Sequence, residues 1–423
     1  MGPFSALLVR DYRLLWTGLA VSNVGTWMQT FGLGWLVVQL AQRAGTPHLA
    51  ALYLGFVGLS RALPGILIGL FAGVAADRLD RRRLLMMSQS AGGIIAAILA
   101  AFTLSEQVTI VWILVLSALG QVAQSFDGPT RNALTGRLVT REALPSAVAL
   151  NSTTTNLAIV LGPLLGGLLI VPIGVGGLMV VNAVSFIAVL AALFLMKPVA
   201  PAAPRDGLGV LAAVREGLAY IRNYPVLKWT ISLVTVTSFF ARPMQQLLPA
   251  FAQDALHVGA VELSWLIAAT GVGAVAGSFC VALVGGRSDK GRFYAGAATV
   301  WGAFVLLLAF QREVAPSIAC LVIAAWASQL YLGLSSTIHQ TVPPDSFRGR
   351  TTATSIMMIQ TWLPLGQMAL GGLGSALGIS VSLGIGGLIA TAFALFVFLR
   401  VDSVRQVGVE FPLKRAASAS HVA

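Results

Sequence analysis

The stretch GVAADRLDRRR at residues 73–83 decides the fold, because it places a cluster of basic residues between two long apolar runs. A shorter version, GGRSDKGR at residues 285–292, lies between two later apolar runs, so that Asp77 and Asp289 are 212 positions apart. A basic loop at the end of a hydrophobic span fixes the side of the membrane that the loop occupies. Its repetition predicts a membrane protein built from two related halves.

The composition agrees with this, since 57% of the residues are hydrophobic, only 10% are charged and the mean hydropathy is +0.85. A soluble particle of 423 residues needs far more polar surface. A helix that crosses a hydrocarbon core of ~30 Å needs roughly 20 apolar residues. By that measure the chain is an all-α membrane protein with twelve spans, at residues 14–40, 49–76, 84–104, 109–131, 144–171, 176–196, 228–251, 260–286, 293–311, 316–340, 350–377 and 380–400.

The basic residues give the orientation. Of the 27 Lys and Arg residues, Arg43 and Arg312 fall outside, Arg61 and Arg242 fall within spans, and the remaining 23 fall on the cytoplasmic side when the N-terminus is cytoplasmic. This obeys the positive-inside rule and predicts a multi-pass protein of the plasma membrane, the bacterial inner membrane, with both termini in the cytoplasm. The net charge of +12 is thereby explained by topology and lipid headgroups, and nucleic acid is not an expected partner.

The sequence lacks the motifs of several other classes of protein. Both cysteines, Cys280 and Cys320, fall within predicted spans, so no disulfide framework is indicated. The sequence has no His-Glu-x-x-His zinc motif, no Gly-x-Ser-x-Gly turn and no Gly-Lys pair of a phosphate-binding loop. An enzyme and a self-contained ATP pump are therefore disfavoured, and no cofactor or metal is expected.

The domain organisation follows from a proline-rich break after the sixth span. We predict an N-terminal six-helix bundle at 1–197, a cytoplasmic linker at 198–227, a C-terminal bundle at 228–402 and a tail at 403–423. Within the linker, apolar residues at helical spacing from Leu208 to Ile221 predict an amphipathic helix at the membrane surface. A solvated linker helix packed on a loop is the alternative.

A second internal repeat in the sequence supports the duplication. The segment Gly162-Pro163-Leu-Leu-Gly166-Gly167 in span five has a counterpart around Gly366 in span eleven, at an offset of 204. Two such bundles enclose a central cavity in transporters that are built from parallel repeats. A chance match of short glycine-rich segments is the alternative.

These residues resemble the major facilitator superfamily over about residues 10–400. Gly73, Asp77, Arg78 and residues 81–83 match its loop between spans two and three, although Asp80 stands where the family usually has Gly. The resemblance implies twelve helices in two pseudo-symmetric six-helix bundles, the major facilitator fold. It also implies a transporter that carries a small-molecule substrate by alternating access. We expect the protein to be a monomer.

The direction of transport comes from two further resemblances. Residues 162–167 resemble the span-five signature of exporters, with Ala158 where the fuller pattern has another Gly. Residues 4–16, 128–133 and 348–350 resemble the branch that contains enterobactin exporters and macrolide-efflux proteins. This implies export of a small amphipathic compound, drug-like or siderophore-like, by proton antiport. Uptake of a sugar or metabolite, lipid movement, and a channel or non-transporting receptor on the same scaffold are the alternatives.

The basic loop is a candidate cytoplasmic latch. In similar loops of the family a carboxylate stabilises one closure state, and here Asp77 would accept from a helix N-terminus and pair with Arg131. The proposed gate residues are Gly73, Asp77, Arg78, Arg81, Arg82, Arg131 and Asp289. The alternative is that the cluster only fixes topology.

Two arginines lie near the middle of spans, where a charge costs several kcal/mol unless it faces water or a partner. Arg61 precedes Pro64, and Arg242 precedes Pro243. We expect both to line the cavity and at least one to contact an anionic or phenolate-bearing substrate. The alternative is a structural role, in which each binds carbonyl groups that the nearby proline leaves free.

Asp127 is the one carboxylate placed within a span rather than at its edge. Arg131 lies four residues later on the same helical face, so an ion pair between them is the simpler interpretation. The sharper hypothesis makes Asp127 the proton carrier, since burial favours its neutral form and an approaching arginine favours its charged form. His339 is the other titratable candidate, with a buried packing role as its alternative.

Polar and aromatic side chains spread over several spans are candidates to line the cavity. Those singled out for substrate contact, beside the two arginines, are Trp27, Gln124, Gln245 and Trp362. Bonds from helix to helix are the alternative role for such residues.

Overall fold

The computed structural model describes residues 4–197, 221–287 and 289–407, and it leaves the side chains of residues 70, 71, 73–78, 345 and 346 undescribed. The described residues form helices and contain no strand. The predicted amphipathic helix of the linker and most of the tail lie outside the described residues. The helices are α1 Arg10–Arg43, α2 Ala50–Arg78, α3 Arg81–Leu104, α4 Ile110–Leu138, α5 Leu144–Leu195, α6 Pro225–Phe240, α7 Met244–Asp254, α8 Ala260–Val284, α9 Lys290–Ala309, α10 Val314–Thr341, α11 Asp345–Leu377, α12 Ile379–Arg400 and α13 Asp402–Arg405.

These helices account for each predicted span. Eight of the described helices have the length and apolar composition of a membrane crossing. One of the eight, α5, is 52 residues long and holds spans five and six, because Gly174 has φ 68° and ψ 178° and interrupts the helix between them. The remaining three spans are α1, α11 and the pair α6 and α7. Of these, α1 and α11 are long but more polar.

Span seven differs from the prediction of one continuous helix over 228–251. It is divided into α6 and α7 by a turn at residues 241–243. Pro243 has no N–H to donate, and the N–H of Arg242 bonds to the Thr237 carbonyl at 2.9 Å. The break leaves Arg242 at the junction of two short helices.

The basic loop is also shorter than the sequence indicates. α2 continues to Arg78 and α3 starts at Arg81, so that only Leu79 and Asp80 connect them. Asp80 is the N-cap of α3, and its Oδ1 accepts a hydrogen bond from the Arg83 N–H at 2.8 Å. The backbone of Asp80 has φ −61°, which any residue adopts, and therefore no glycine is needed there.

The structure separates into two compact units. The first is Met1–Gly207 together with Val258–Ala268, and the second is Leu208–His257 with Ala269–Ala423. The first unit therefore includes the first turns of α8.

In the first unit, α1 packs along both halves of α5. Gly18, Gly25 and Gly32 lie seven residues apart on α1, and a Cβ at Gly18 would lie 2.9 Å from the Ala188 carbonyl oxygen. Small residues at such positions let two helix backbones approach closely in a membrane. A hydrophobic cluster near the start of α1 and the end of α5 is formed by Leu15, Leu19, Leu85, Leu134, Val189, Leu193 and Met196.

The second unit repeats the packing of the first. A Cβ at Gly162 would lie 2.9 Å from the Met28 N of span one, and a Cβ at Gly366, 204 residues later, would clash with the backbone of Phe239 in span seven. The two turns between the last spans also match, because Gly174 and Gly378 both have positive φ and are again 204 residues apart. Close glycine contacts between the corresponding spans and the positive-φ turns thus recur in both units, as expected from the duplication indicated by the sequence.

Candidate functional site

A buried polar cluster joins α3 and α4 in the first unit. Asp127 is 4% exposed, and its Oδ2 lies 3.9 Å from the Nε of Arg131 one turn later. Its other oxygen, Oδ1, accepts a hydrogen bond from the Nε2 of Gln89 at 2.5 Å. The i,i+4 pair is thus present, and it has a third member that the sequence did not single out. In the sequence, Gln89 could have been identified only as a polar amide residue within the apolar run of span three.

Arg81 and Arg82 of the basic loop bind backbone carbonyls of their own bundle. Arg82 donates from Nε to the Leu193 carbonyl at 2.7 Å and from Nη2 to the Phe194 carbonyl at 2.9 Å. These are among the last carbonyls of α5, where the negative end of the helix dipole favours a cation. Arg81 donates to the Ala133 carbonyl at 3.3 Å. The side chains of Asp77 and Arg78, with the surroundings of Gly73, lie outside the described residues, so the latch stays a prediction.

The second basic loop contains a simple local pair. Arg287 donates from Nε to Asp289 Oδ1 at 3.0 Å, and its guanidinium lies 5.4 Å from the centre of the Phe293 ring. The hydrogen bond from Arg287, with the charge of Arg292 nearby, lowers the pKa of Asp289. Asp289 precedes α9, but its side chain accepts no capping hydrogen bond there, unlike that of Asp80 before α3.

Arg61 lies in the middle of α2. Its side chain is half-buried and forms no hydrogen bond or ion pair with any residue that the structure describes. One turn later, a Cβ at Gly65 would lie 3.4 Å from the Gln121 side chain, which shows that α2 and α4 are close here. The guanidinium is therefore not used to satisfy carbonyls around Pro64 within the described part of the chain.

Arg242 lies beside an aromatic cluster of the second unit, within electrostatic reach of the Tyr331 hydroxyl. Tyr331 and Tyr294 are fully buried and stack with ring centres 4.9 Å apart. The Tyr331 hydroxyl accepts from Thr237 at 3.2 Å, and Tyr294 donates to the Thr230 carbonyl at 3.0 Å. This network connects α6, α9 and α10, and Tyr294, Thr230 and Thr237 were not among the candidates that the sequence offered.

His339 lies at the other end of this network. Its ring is 1% exposed, and its Nε2 is 3.0 Å from the Thr230 Oγ1. Tyr294 contacts the carbonyl of Thr230 and not its hydroxyl, so no continuous chain of side-chain hydrogen bonds links Tyr294 to His339. A buried ring with one hydroxyl partner is the contact expected of a packing histidine, and a role of His339 in proton coupling stays a prediction.

The exporter-like segment packs its glycines against α1. A Cβ at Gly166 would lie 2.6 Å from the Phe31 Cδ1, and Pro163 is buried. Gly167 faces the side chain of Ser264, which belongs to the first turns of α8 that group with the first unit. The segment therefore sets how closely span five approaches its neighbours.

The remaining cavity candidates fall on both units. Gln124 on α4 and Gln245 on α7 are exposed, whereas Trp27 and Trp362 are half-buried. Trp27 lies against Gly162, and Trp362 packs edge-on to Phe239 with ring centres 6.0 Å apart. Substrate contact by these four residues stays a prediction. In the part of the chain that the structure describes, no group of His, Cys, Asp and Glu residues could hold a metal ion.

Comparison with known proteins identifies the family. Residues 1–411 match the model of the transmembrane secretion effector family, a branch of the major facilitator superfamily. The chain belongs to this family. It is therefore a membrane transporter and not an enzyme, and the prediction of twelve helices in the major facilitator fold is confirmed.

Two curated relatives are similar along most of their length. The multidrug efflux pump Tap of Mycolicibacterium fortuitum is 26% identical over 367 residues, which cover 85% of this chain and 88% of that protein. The enterobactin exporter EntS of Salmonella paratyphi A is 28% identical over 370 residues, covering 85% and 87%.

Solved transporters have the same fold. A bacterial homologue of the human lysosomal transporter Spinster matches with a TM-score of 0.72 at 15% identity, over 94% of this chain and 98% of that structure. The nucleoside transporter NupG matches with a TM-score of 0.70 at 15% identity, over 90% and 98%. At this identity the likeness concerns the fold alone.

Proposed function

We propose that this transporter exports a small amphipathic compound from the cytoplasm by alternating access, in exchange for protons. The observation that carries export is the similarity to Tap and EntS over more than four fifths of the chain. Support from the residues comes from Gly162, Pro163, Gly166 and Gly167, the segment that resembles exporters. Multi-pass insertion in a bacterial inner membrane with both termini cytoplasmic belongs to the same proposal.

The proton is carried by Asp127 in this proposal. A carboxylate buried within a span is costly, and such groups in membrane proteins commonly serve ion or proton movement. Here the carboxylate has one arginine and one amide as partners. When Arg131 and Gln89 approach, they stabilise the ionised form and release the proton; when they withdraw, burial favours the protonated form. A change of partners between the two closure states therefore couples proton binding to the conformational cycle.

The substrate class follows from Arg61. A guanidinium within a span that has no partner among the described residues carries an uncompensated charge, and an anionic or phenolate-bearing ligand would neutralise it. Arg242, which lies at the break in span seven, is the second candidate for such a contact. We therefore expect anionic amphipathic compounds to be preferred over neutral ones of similar size.

The experiment is a substrate panel in proteoliposomes with and without an imposed pH gradient. The panel includes a catecholate siderophore, a macrolide, a neutral amphipathic dye, its carboxylated analogue and a sugar. Export predicts movement of an amphipathic compound against its gradient when protons flow the opposite way. Accumulation of a sugar in the same direction as protons would instead support an uptake symporter.

Two variants test the assigned residues. Asp127→Asn is expected to abolish gradient-driven movement while leaving exchange of labelled for unlabelled substrate, because exchange needs no net proton transfer. Arg61→Gln is expected to reduce transport of the carboxylated dye at least tenfold and to leave its neutral analogue within twofold. Equal loss for both dyes would remove the substrate assignment, and failure of all exchange in the wild type would support a receptor.

A further inference from the structure

The side-chain amide of Gln89 donates a hydrogen bond to Asp127 through its nitrogen, while its oxygen has no partner among the described residues. Its Nε2 donates to Asp127 Oδ1 at 2.5 Å, and both side chains are buried, with 7% and 4% exposed. The Oε1 of Gln89 is buried and has no hydrogen-bond partner among the described residues. A buried carbonyl oxygen in this condition costs free energy comparable to a lost hydrogen bond.

An amide can serve a carboxyl group in both of its protonation states. An ionised carboxylate only accepts hydrogen bonds, so it needs the NH₂ side of the amide. A protonated carboxyl also donates one, and the acceptor that it needs is the carbonyl side of the same amide. Rotation of the terminal amide of Gln89 by about half a turn exchanges the two sides without moving the helices.

We propose that Gln89 is a positioning residue that follows the protonation state of Asp127, donating to the carboxylate and accepting from the carboxylic acid. This rests on the proposed proton exchange by Asp127. The unpartnered oxygen is then the acceptor held ready for the protonated state. No other described side chain offers Asp127 a hydrogen bond.

In the described part of the chain, few charged groups lie near Asp127, so a change in its protonation can be assigned to its immediate partners. Helices α1, α2, α3 and α5 all contact α4. Among the described residues, Arg131 is the one basic group within 4.0 Å of the Asp127 carboxylate. The other charged groups on these helices are Arg10, Asp11, Arg13 and Arg43 on α1, Arg61 with Asp77 and Arg78 on α2, and residues 81–83 on α3, while α5 has none.

The second unit supplies a matched control. Tyr331 lies 204 residues after Asp127, and Tyr294 lies 205 after Gln89, so the tyrosine pair occupies the corresponding place between spans nine and ten. The Tyr294 hydroxyl is 3.5 Å from that of Tyr331. This pair joins the two corresponding helices, α9 and α10, and contains no carboxylate. A substitution there perturbs packing at an equivalent site without touching the proposed proton carrier.

The test is an infrared titration of the purified protein in lipid nanodiscs. The carboxylic acid band of Asp127 is identified by its loss in Asp127→Asn. Gln89→Leu, or Gln89→Met with its similar shape, removes the hydrogen bond from both forms of Asp127. The ionised form loses more, because a hydrogen bond to a charged group is stronger than one between neutral groups. The pH midpoint of the band is expected to rise by about one unit, since a hydrogen bond to a charged group is lost. Tyr294→Phe is expected to leave the midpoint unchanged.

A second measurement uses the wild-type protein. With ¹⁵N-labelled glutamine, one side-chain amide resonance is expected to change with the same midpoint as the carboxyl band, and Asp127→Asn is expected to abolish that change. Midpoints in both Gln89 variants equal to the wild type, or no glutamine resonance that follows the band, would overturn the role of Gln89. Gradient-driven export that survives Asp127→Asn would instead overturn the proposed proton exchange, so the two failures are distinguishable.

Discussion

Asp80 lies where related loops usually have glycine, and in the structure it caps the start of α3. Its carboxylate accepts from the Arg83 N–H at 2.8 Å and so satisfies one of the free donors at the start of α3. The resemblance to the family made this residue look like a departure that put the turn in doubt. The turn needs no glycine, because the connecting residues have ordinary backbone angles.

Replacing the cap therefore has a defined cost. Asp80→Ala is expected to lower the free energy of unfolding by about 1 kcal/mol, since it removes the cap. Asp80→Asn keeps an acceptor oxygen and is expected to stay within a few tenths of the wild type. Thermal unfolding of the purified protein in detergent measures both. An alanine variant as stable as the asparagine variant would show that the cap contributes nothing.

Arg82 has a structural role at the same scale. It binds two of the last carbonyls of α5 through Nε and Nη2. Arg82→Leu is expected to destabilise the protein by about 1 kcal/mol, discounted for partial exposure of the guanidinium. Arg83→Leu is the control, because the Arg83 side chain is exposed. Equal unfolding temperatures for the two variants would contradict the role of Arg82 as a cap of span six.

At the scale of helices, glycine spacing decides which spans can touch. A Cβ at Gly162 would lie 2.5 Å from the Trp27 Cβ and 2.9 Å from the Met28 N, which leaves no room for a methyl group. Nothing lies within 4 Å of a Cβ at Gly136 on α4. The same residue type is therefore required at one helix position and replaceable at another.

This contrast gives a paired prediction. Gly162→Ala is expected to cost about 1–3 kcal/mol, because α1 and α5 must move apart to admit the methyl group. Gly136→Ala is expected to be neutral or to stabilise the protein by up to about 1 kcal/mol, through higher helix propensity. Unfolding temperatures of the two variants in detergent measure this difference in stability. A tolerated alanine at Gly162 would mean that the close contact between spans one and five is not needed.

The elements also show what a sequence alone can predict. The twelve apolar runs were recognisable because a bilayer demands about 20 apolar residues per crossing. The break in span seven was not foreseen, although Pro243 signalled a kink, because a proline within a transmembrane helix is often tolerated. The loop at residues 73–83 looked irregular from its charges, but helices extend beyond the membrane wherever their ends are capped.

The polar sites were harder to predict than the helices. The pair of Asp127 and Arg131 followed from i,i+4 spacing along one helix. The contact with Gln89 joins two helices and depends on how each is rotated about its axis, which apolar composition does not specify. The tyrosine pair of the second unit was missed for the same reason.

At the scale of the whole molecule, the two duplicated halves differ in their buried polar groups. Equivalent glycines and turns recur at an offset of 204, but the buried carboxylate of Asp127 with its partner Arg131 lies in the first unit, and a neutral tyrosine pair occupies the corresponding place in the second. The scaffold is therefore symmetric while its charge is not. We infer that proton coupling belongs to the first bundle.

The orientation of the molecule is open to a direct check. Single cysteines at residues 2 and 418, in a background without Cys280 and Cys320, are expected to react with a membrane-impermeant maleimide only after the cells are opened. A cysteine at residue 45, between the first two spans, is expected to react in intact cells. Labelling of either terminus in intact cells would contradict the cytoplasmic assignment.

The most direct measurement records proton movement and export in the same proteoliposomes. A pH-sensitive dye inside the vesicles reports protons while a compound from the panel moves against its gradient. We expect opposite fluxes of protons and substrate in the wild type, and loss of both net fluxes in Asp127→Asn with substrate exchange retained. Export at the wild-type rate with no opposing proton flux, or an Asp127→Asn variant that still couples the two, would contradict this expectation.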